Sequence, residues 1–250
     1  MKKVVIIPAR WGSSRLEGKP LRLLAGKPMI QRVYERCSQA RVDQVIVATD
    51  DARILQAVEA FGGKAILTSS ENRSGTDRAA EAAKILQLAQ DDLVINVQGD
   101  QPLIHPDCID EVIAPFAEEP DLPMTSLGFI IEDPAEIYNP GDVKIVLDVK
   151  GNALYFSRAT IPHVRDKGTS CSYIKHLGIY AYTRRFLEIF RDLPSGELEE
   201  LEKLEQLRVL EHGYAIRIVI TPHDSPEVDF ADDLTKIEMK LRELGETGTI

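Results

Sequence analysis

The sequence predicts an α/β protein with a mostly parallel central sheet, helices on both faces and a smaller antiparallel lobe. Three observations support this prediction. Short runs rich in β-branched residues alternate with amphipathic stretches over residues 4–97, and these runs end in polar, glycine-containing loops. After Pro120 the pattern changes to strand-like runs joined by tight turns. Strand and helix alternation implies parallel strands joined by right-handed crossovers.

The first half of the chain alternates between buried strands and amphipathic helices. Val4–Ile7 is an apolar run ended by Pro8, which is typical of a buried strand that leads into a loop. Apolar residues recur at three- and four-residue spacing from Pro28 to Ala40, and Gly62 and Gly63 close a later helix. The predicted elements are strands at 4–7, 44–50, 64–67 and 93–97 and helices at 28–40, 51–61 and 76–89.

The second half of the chain predicts antiparallel pairing. Turn residues at 139–141 and 150–152 separate strand-like runs, and the second turn is typical of a hairpin. We expect one domain over residues 1–250, with an antiparallel lobe at about 131–182. The predicted elements are strands at 124–131, 143–149, 153–156, 175–182 and 215–221, a helix after Pro106, a helix from Ser195 to near Gly213 and a final helix that reaches Leu244.

Composition limits the classes of function. A formal net charge of −10 argues against general nucleic-acid binding. Three widely spaced cysteines, Cys37, Cys108 and Cys171, offer neither a disulfide framework nor a zinc spacing. No run approaches the roughly 18 apolar residues that span a bilayer, and no signal peptide is evident. We therefore expect a cytoplasmic protein without nucleic-acid or membrane partners.

The loop after the first strand is typical of a phosphate-binding site. Arg10, Arg15 and Lys19 stand among small residues that let backbone amides approach an anion. A polyphosphate suits such a loop, although three surface cations are more often simply solvated. The position favours a site, because open α/β sheets bind ligands at the carboxyl ends of their strands. The loop matches neither G-x-x-x-x-G-K-[ST] nor G-x-G-x-x-G.

Two further loops carry candidate binding residues. Ser74 or Thr76 can cap the helix that follows, and the Gly75 amide with nearby arginines also suits a base or phosphate at that helix N-terminus. Asp100 follows the strand at 93–97 and is the first candidate ligand for Mg²⁺. Proteins usually hold this ion with one or two carboxylates plus phosphate oxygens. A turn-capping role is the alternative for Asp100.

These motifs together resemble the 3-deoxy-manno-octulosonate cytidylyltransferase (CMP-Kdo synthetase) family over nearly the whole chain. The resemblance implies a nucleotidyltransferase, Rossmann-like sheet. The motifs are I-P-A-R-x-x-S-x-R-L-x-G-K-P-L at 7–21, G-K-P-M-I at 26–30, V-A-T-D at 47–50, S-G-T-D-R at 74–78, N-V-Q-G-D at 96–100, N-P at 139–140, A-L-Y-F-S-R-A-x-I-P at 153–162, H-L-G-I-Y at 176–180 and L-E-Q-L-R-V-L at 204–210.

The resemblance implies a Mg²⁺-dependent reaction for lipopolysaccharide biosynthesis. CMP would pass from CTP to the anomeric hydroxyl of 3-deoxy-D-manno-octulosonate (Kdo), releasing pyrophosphate, in a homodimer formed through the antiparallel lobe. Catalysis is assigned to Arg10, Lys19 and Asp100, and the metal to Asp100 and Asp229. The residues implied to bind nucleotide are Ala9, Arg10, Ser14, Arg15, Lys19, Ser74, Gly75, Arg78 and Gln98, and those implied to bind the sugar acid are Gln98, Arg158, His176, Tyr180, Glu205 and Gln206.

The same residues allow other interpretations. His176 and Tyr180 also suit a buried strand, and Glu205 and Gln206 also suit a solvated helix face. A cytidylyltransferase for 8-amino-Kdo or sialic acid is the alternative enzyme. A nucleotide-sensing binding protein that performs no chemistry is the alternative of another class.

Three positions depart from the family pattern. Lys175 and Gln101 stand where the pattern has Arg and Glu. Phe230 replaces a Thr next to Asp229, so the second metal ligand is less securely assigned by sequence than Asp100.

Overall fold

A computed structural model describes residues 1–12, 16–166 and 168–246. Its main sheet has the strand order β11-β7-β10-β6-β1-β4-β5, with the β8–β9 pair attached to β10 and a separate β2–β3 pair. The strands are β1 (Lys3–Ala9), β2 (Leu23–Leu24), β3 (Lys27–Pro28), β4 (Gln44–Thr49), β5 (Ala65–Leu67), β6 (Leu93–Asn96), β7 (Met124–Ile130), β8 (Lys144–Leu147), β9 (Ala153–Ser157), β10 (Ile174–Thr183) and β11 (Ile216–Thr221).

Nine α-helices, in addition to short 3-10 turns at Lys19–Leu21 and Ala114–Ala117, are found in the part of the chain that the structure describes. They are α1 (Met29–Cys37), α2 (Ala52–Ala60), α3 (Gly75–Ile85), α4 (Pro106–Ile113), α5 (Pro134–Tyr138), α6 (Arg184–Asp192), α7 (Glu197–Glu202), α8 (Leu207–Glu211) and α9 (Ala231–Glu243). Within the described ranges, none of them combines the length and the apolar character needed to cross a membrane.

The parallel half of the sheet is formed by β1, β4, β5 and β6. β1 pairs in parallel with both β4 and β6, and β4 pairs in parallel with β5. Val4 to Ile7 are all fully buried, and their side chains alternate between the two faces of the sheet. Because both faces of this strand are buried at Val4 to Ile7, all four residues are apolar, which is the continuous apolar run from which the sequence predicted a buried strand.

Helices cover both faces of the sheet. α1, α2 and α4 pack on one face with Val5 and Ile7, whereas α3, α6 and α8 pack on the other with Val4 and Ile6. The predicted α/β class with helices on both faces is confirmed. Because helices cover both faces, the ends of the strands are where the sheet stays accessible to a ligand.

The antiparallel part of the structure is joined to the same sheet. β10 runs antiparallel between β6 and β7, and its first two residues also pair with β8. β8 and β9 form the predicted hairpin. The run at 175–182 thus continues from the hairpin into the centre of the sheet, where Tyr180 lies opposite Asn96.

Three helical regions differ from the sequence prediction, and the first is the short helix α5, which was not predicted. The stretch from Ser195 to Gly213 is two short helices, α7 and α8, because Lys203 adopts a left-handed backbone with φ of 54°. This break turns Glu205 and Gln206 inward instead of leaving them on a solvated face. α6 was not predicted, although Thr183 caps it and Phe186, Leu187 and Phe190 bury one of its faces.

A third apolar cluster attaches α9 to the edge of the site. It joins Leu24 and Met29 to Val228, Ile237 and Leu241. Because Val228 is fully buried, the cluster fixes the chain immediately before Asp229.

We expect the central strand to dominate stability. Ile95→Ala removes a fully buried side chain and should lower the free energy of unfolding by about 2–5 kcal/mol. The matched control Ile85→Ala alters a side chain that is 48% exposed and should change it by less than about 0.5 kcal/mol. Urea denaturation measures both, and equal losses would contradict this account of the core.

Candidate active site

A cleft of about 260 Å³ opens where the carboxyl ends of β1 and β6 meet the N-terminus of α3. Open parallel sheets bind their ligands at this end of the strands. The cleft is lined by Pro8, Ala9, Arg10, Lys19, Pro20, Asn72, Arg73, Ser74, Gly75, Arg78, Gln98, Gly99, Asp100 and Asp229. The described members of the predicted nucleotide set therefore converge here, whereas Ser14 and Arg15 lie outside the described residues.

Small residues allow the strand ends and the helix to approach each other closely. Ser74 caps α3, its hydroxyl accepting a hydrogen bond of 3.1 Å from the amide of Asp77. A Cβ atom on Gly75 would lie 3.2 Å from Pro8 Cγ, and one on Gly99 would lie 3.0 Å from the Pro8 carbonyl oxygen. A larger side chain at either position would push the two loops apart.

Arg78 is a buried support of the cleft. Its guanidinium donates to Asp50 Oδ2 at 2.7 Å and to Thr68 Oγ1 at 2.6 Å, and the residue is only 3% exposed. The charge-assisted bonds tie α3 to the ends of β4 and β5. Asp50 is the last residue of the V-A-T-D motif, and its pairing with Arg78 gives that motif a structural role that the sequence did not predict.

Lys19 is the centre of the charged side of the cleft. Its Nζ lies 2.7 Å from Asp100 Oδ2 and 3.6 Å from Asp229 Oδ1. Gly18 precedes it in the left-handed region, with φ of 64°, where a side chain would also press on the ring of Trp11. The lysine thereby joins the first loop to two carboxylates that are 129 residues apart in sequence.

A backbone bond fixes the two carboxylates on neighbouring segments. The amide of Val228 donates to the carbonyl oxygen of Asp100 at 2.9 Å. Asp100 Oδ1 is buried and has no hydrogen-bond partner among the described residues, while the Asp229 side chain is 41% exposed to solvent. An unsatisfied carboxylate oxygen beside a second carboxylate fits a hard divalent cation, which takes oxygen ligands.

Glu227 adds a third carboxylate that sequence reasoning did not assign. Its Oε1 accepts from the Gln101 side chain at 3.2 Å. Partial removal of water from the Glu227 carboxyl raises its pKa, and the negative charges of Asp100 and Asp229 raise it further. The side chain still keeps access to solvent. In the sequence, the only indication of a role for Glu227 is that P-E-V-D follows the last predicted strand and ends in the metal candidate Asp229.

Three of the predicted sugar-binding residues, His176, Tyr180 and Gln206, form a connected network beside the cleft. His176 Nε2 lies 3.0 Å from Ser126 Oγ, and His176 Nδ1 lies 3.4 Å from Gln206 Nε2. The Tyr180 hydroxyl lies 3.3 Å from Gln206 Oε1. Burial lowers the pKa of His176 to about 3 and raises that of Tyr180, so both groups are neutral.

Two residues connect this network to the nucleotide cleft. Thr76, in the first turn of α3, donates its hydroxyl to Glu205 Oε2 at 2.7 Å. Gln98 lies between the regions, since Cβ atoms on Gly75 and Gly178 would meet its side chain at 3.4 and 3.9 Å. These contacts place the network of His176, Tyr180 and Gln206 next to the nucleotide cleft.

Arg158 has partners apart from this network. Its Nε donates to the Glu202 carbonyl oxygen at 2.8 Å, and its Nη1 donates to the Pro140 carbonyl oxygen at 2.9 Å. These bonds link β9 to α7 and to the turn before β8.

Comparisons with known proteins agree over nearly the full length of the chain. A family model described as cytidylyltransferase matches residues 4–218. A 3-deoxy-manno-octulosonate cytidylyltransferase of Desulfosudis oleivorans is 59% identical over 242 residues, which cover 96% of this chain and 98% of the relative. A protein with the same description from Desulfatibacillum aliphaticivorans is 58% identical over 244 residues, or 97% of this chain and 100% of the relative.

Two further similarities bear on the substrate. An 8-amino-3,8-dideoxy-manno-octulosonate cytidylyltransferase of Shewanella frigidimarina is 55% identical over 243 residues, or 96% of this chain and 99% of the relative. A solved structure of CMP:2-keto-3-deoxy-manno-octonic acid synthetase complexed with CTP superposes with a TM-score of 0.91. It is 44% identical and covers 98% of this chain and 100% of that chain.

We expect the pKa of Glu227 to depend on its neighbouring charges. Asp100→Asn removes one negative charge, so the pKa of Glu227 should fall towards its ordinary value. A titration of the side-chain carboxyl carbon by NMR in metal-free buffer measures this shift. Asp121→Asn, at an exposed position away from the cleft, is the matched control and should leave the pKa unchanged. An unchanged pKa in Asp100→Asn would contradict the electrostatic coupling.

Proposed function

The chain belongs to the cytidylyltransferase family, and we propose that it transfers CMP from CTP to the anomeric hydroxyl of Kdo. The observation that carries the proposal is the continuous site in which Lys19, Asp100 and Asp229 face the α3 N-terminus. Identities of 58–59% to relatives described as 3-deoxy-manno-octulosonate cytidylyltransferases support the same activity.

CTP would bind between the first loop and α3. The exposed Arg10 at the end of β1 and Lys19 in the next turn supply positive charge to the triphosphate. Ala9, Ser74 and Gly75 would provide the close backbone and hydroxyl contacts, because the helix N-terminus offers unpaired amides. Arg78 would act from beneath by holding the α3 N-terminus against β4. Ser14 and Arg15 are retained in this proposal on the family motif alone.

Asp100 and Asp229 would hold Mg²⁺. When bound, this ion neutralises phosphate charge and favours departure of pyrophosphate. Lys19 lies against both carboxylates in the present structure. We propose that it turns towards the triphosphate when nucleotide and cation bind, because the cation then balances the negative charge of the two aspartates.

The sugar acid would occupy the neutral network beside Gln98. Kdo is rich in hydroxyl groups, and His176, Tyr180 and Gln206 offer uncharged donors and acceptors that match them. Glu205 is a further acceptor, because its buried Oε1 lies 3.8 Å from the Arg208 guanidinium and accepts no hydrogen bond from the described residues. Arg158 uses two of its N–H groups on carbonyl oxygens, and we propose that the remaining ones bind the sugar carboxylate.

The reaction needs no covalent bond to the protein. The anomeric hydroxyl releases its proton to solvent and its oxygen forms a bond to the α-phosphorus as the bond to the bridging oxygen breaks, and pyrophosphate leaves with the electron pair. Two anionic substrates must meet, so fixed cations and orientation supply most of the rate enhancement. Gln98, which borders both regions, is placed to align the anomeric hydroxyl with the α-phosphate.

An 8-amino-Kdo substrate is the second candidate, because a relative with that description is 55% identical over nearly the full chain. One ammonium group in place of a hydroxyl requires only a local change in the pocket. Either product serves lipopolysaccharide synthesis, and we propose the cytoplasm as the location.

We also propose a homodimer formed through the antiparallel lobe at about 131–182 of a single domain. Apolar side chains are exposed on its hairpin, where Leu154 is 62% exposed and Val149 is fully exposed. Ile220 on the edge strand β11 is 43% exposed. Exposed apolar residues on neighbouring strands, as on β9 and β11 here, are typical of protein interfaces.

The activity is tested by pyrophosphate release with CTP and Mg²⁺, using Kdo, 8-amino-Kdo and sialic acid as acceptors. We expect release with Kdo and a loss of about 100-fold or more in kcat for Asp100→Asn, because a metal-binding carboxylate is removed. The control Asp121→Asn should keep full activity. Release with only another acid would change the substrate, and no release with any acceptor would favour a nucleotide-binding protein without chemistry.

The oligomeric state is tested by light scattering after gel filtration. Leu154→Asp should convert a dimer into a monomer, since it places a charge in the proposed interface. Leu23→Asp is matched in exposure, at 62%, and lies on β2 away from the lobe, so it should remain dimeric. A monomeric wild-type protein, or a dimeric Leu154→Asp variant, would overturn the proposal.

A further inference from the structure

Two histidines and an aspartate converge on a surface apart from the nucleotide cleft. His105 caps the N-terminus of α4, Asp107 lies in the first turn of that helix, and His223 follows β11. The imidazole rings of His105 and His223 stack with centroids 3.7 Å apart. His105 and Asp107 are neighbours in sequence, but His223 lies more than 100 positions further along the chain, so tertiary structure brings it to the other two.

The distances among their ligand atoms suit a bound metal ion. Asp107 Oδ2 lies 3.6 Å from His105 Nδ1 and 3.7 Å from His223 Nε2. One ligand atom from each residue lies within 4.8 Å of the others. A tetrahedral ion with bonds of ~2.0 Å has ligands about 3.3 Å apart, so the two separations from Asp107 need to close by only a few tenths of an ångström.

The stacked rings must also tilt so that their lone pairs converge. All three side chains are partly solvent-accessible, with exposures of 43% for His105, 63% for Asp107 and 29% for His223. Rotation of such side chains disturbs little packing, but metal binding at His105 Nδ1 would replace the long 3.3 Å hydrogen bond that this atom accepts from the Asp107 amide. The nearby Cys108 thiol is buried and lies against Thr221, so it is not a further ligand.

We propose that His105, Asp107 and His223 form a site for a divalent transition-metal ion such as Zn²⁺, with water completing the coordination. Imidazole favours Zn²⁺, Ni²⁺ or Cu²⁺ over Mg²⁺, which takes oxygen ligands. This site is therefore chemically distinct from the carboxylate pair of the cleft. Its location is unrelated to the proposed transfer reaction, and it does not depend on that proposal.

Metal binding here would attach the segment after β11 to α4. That segment continues through Asp224, which pairs with Lys175 at 2.9 Å, to Glu227 and Asp229 in the cleft. A ligand that binds only the folded state raises the melting temperature. The ion should therefore stabilise the protein and restrict the chain that carries the second predicted Mg²⁺ ligand.

The test is calorimetric titration of ZnCl₂ into untagged protein with excess Mg²⁺, so that neither an affinity tag nor the cleft carboxylates compete. We expect one equivalent of Zn²⁺ to bind and the melting temperature to rise. His223→Ala and His105→Ala should each weaken binding by about 100-fold or more, because a direct ligand is lost. Co²⁺ should give the visible absorption of a tetrahedral nitrogen and oxygen site in the wild type only.

The matched control is His212→Ala, which removes an exposed histidine outside the cluster and should bind Zn²⁺ as the wild type does. Circular dichroism of the metal-free variants verifies their fold. Unchanged Zn²⁺ affinity in both His223→Ala and His105→Ala, or no stoichiometric binding by the wild type, would overturn the proposal and leave the rings as a stacked pair.

Discussion

The charged half of the site depends on one ion pair, between Lys19 and Asp100 at 2.7 Å. Each partner is held by rigid backbone, Lys19 after the left-handed Gly18 and Asp100 after the buried central strand β6. Because Val228 donates to the Asp100 carbonyl, the same contact brings Asp229 within reach. Three distant segments thus place opposite charges where a charged ligand can exchange partners with them.

Close backbone approach is what makes that arrangement compatible with nucleotide binding. Gly75 and Gly99 both face Pro8 at distances that leave no room for a larger side chain. The α3 N-terminus is consequently brought against the end of β1, and Arg78 with Asp50 holds it there. The anion-binding helix end and the cationic loop face the same cleft because the core packs them together.

The neutral half of the site follows a different physical rule. His176 and Tyr180 lie on β10 where it enters the sheet, and burial keeps both groups uncharged. Polar groups in such surroundings require partners, and Gln206 and Ser126 supply them. A sugar would replace or extend these bonds, which is how a buried network becomes selective for hydroxyl positions.

The sequence by itself predicted the alternation of strands and helices, because this alternation follows from residues that are close in the chain. The same local patterns indicated the phosphate loop around Lys19 and the metal candidate Asp100. Tertiary structure alone decided that Glu205 and Gln206 turn inward after Lys203, that Arg78 pairs with Asp50, and that Glu227 joins the two aspartates. It also placed Arg158 against the carbonyls of Pro140 and Glu202. These contacts join residues far apart in the chain, and periodicity carries no information about which distant segments meet.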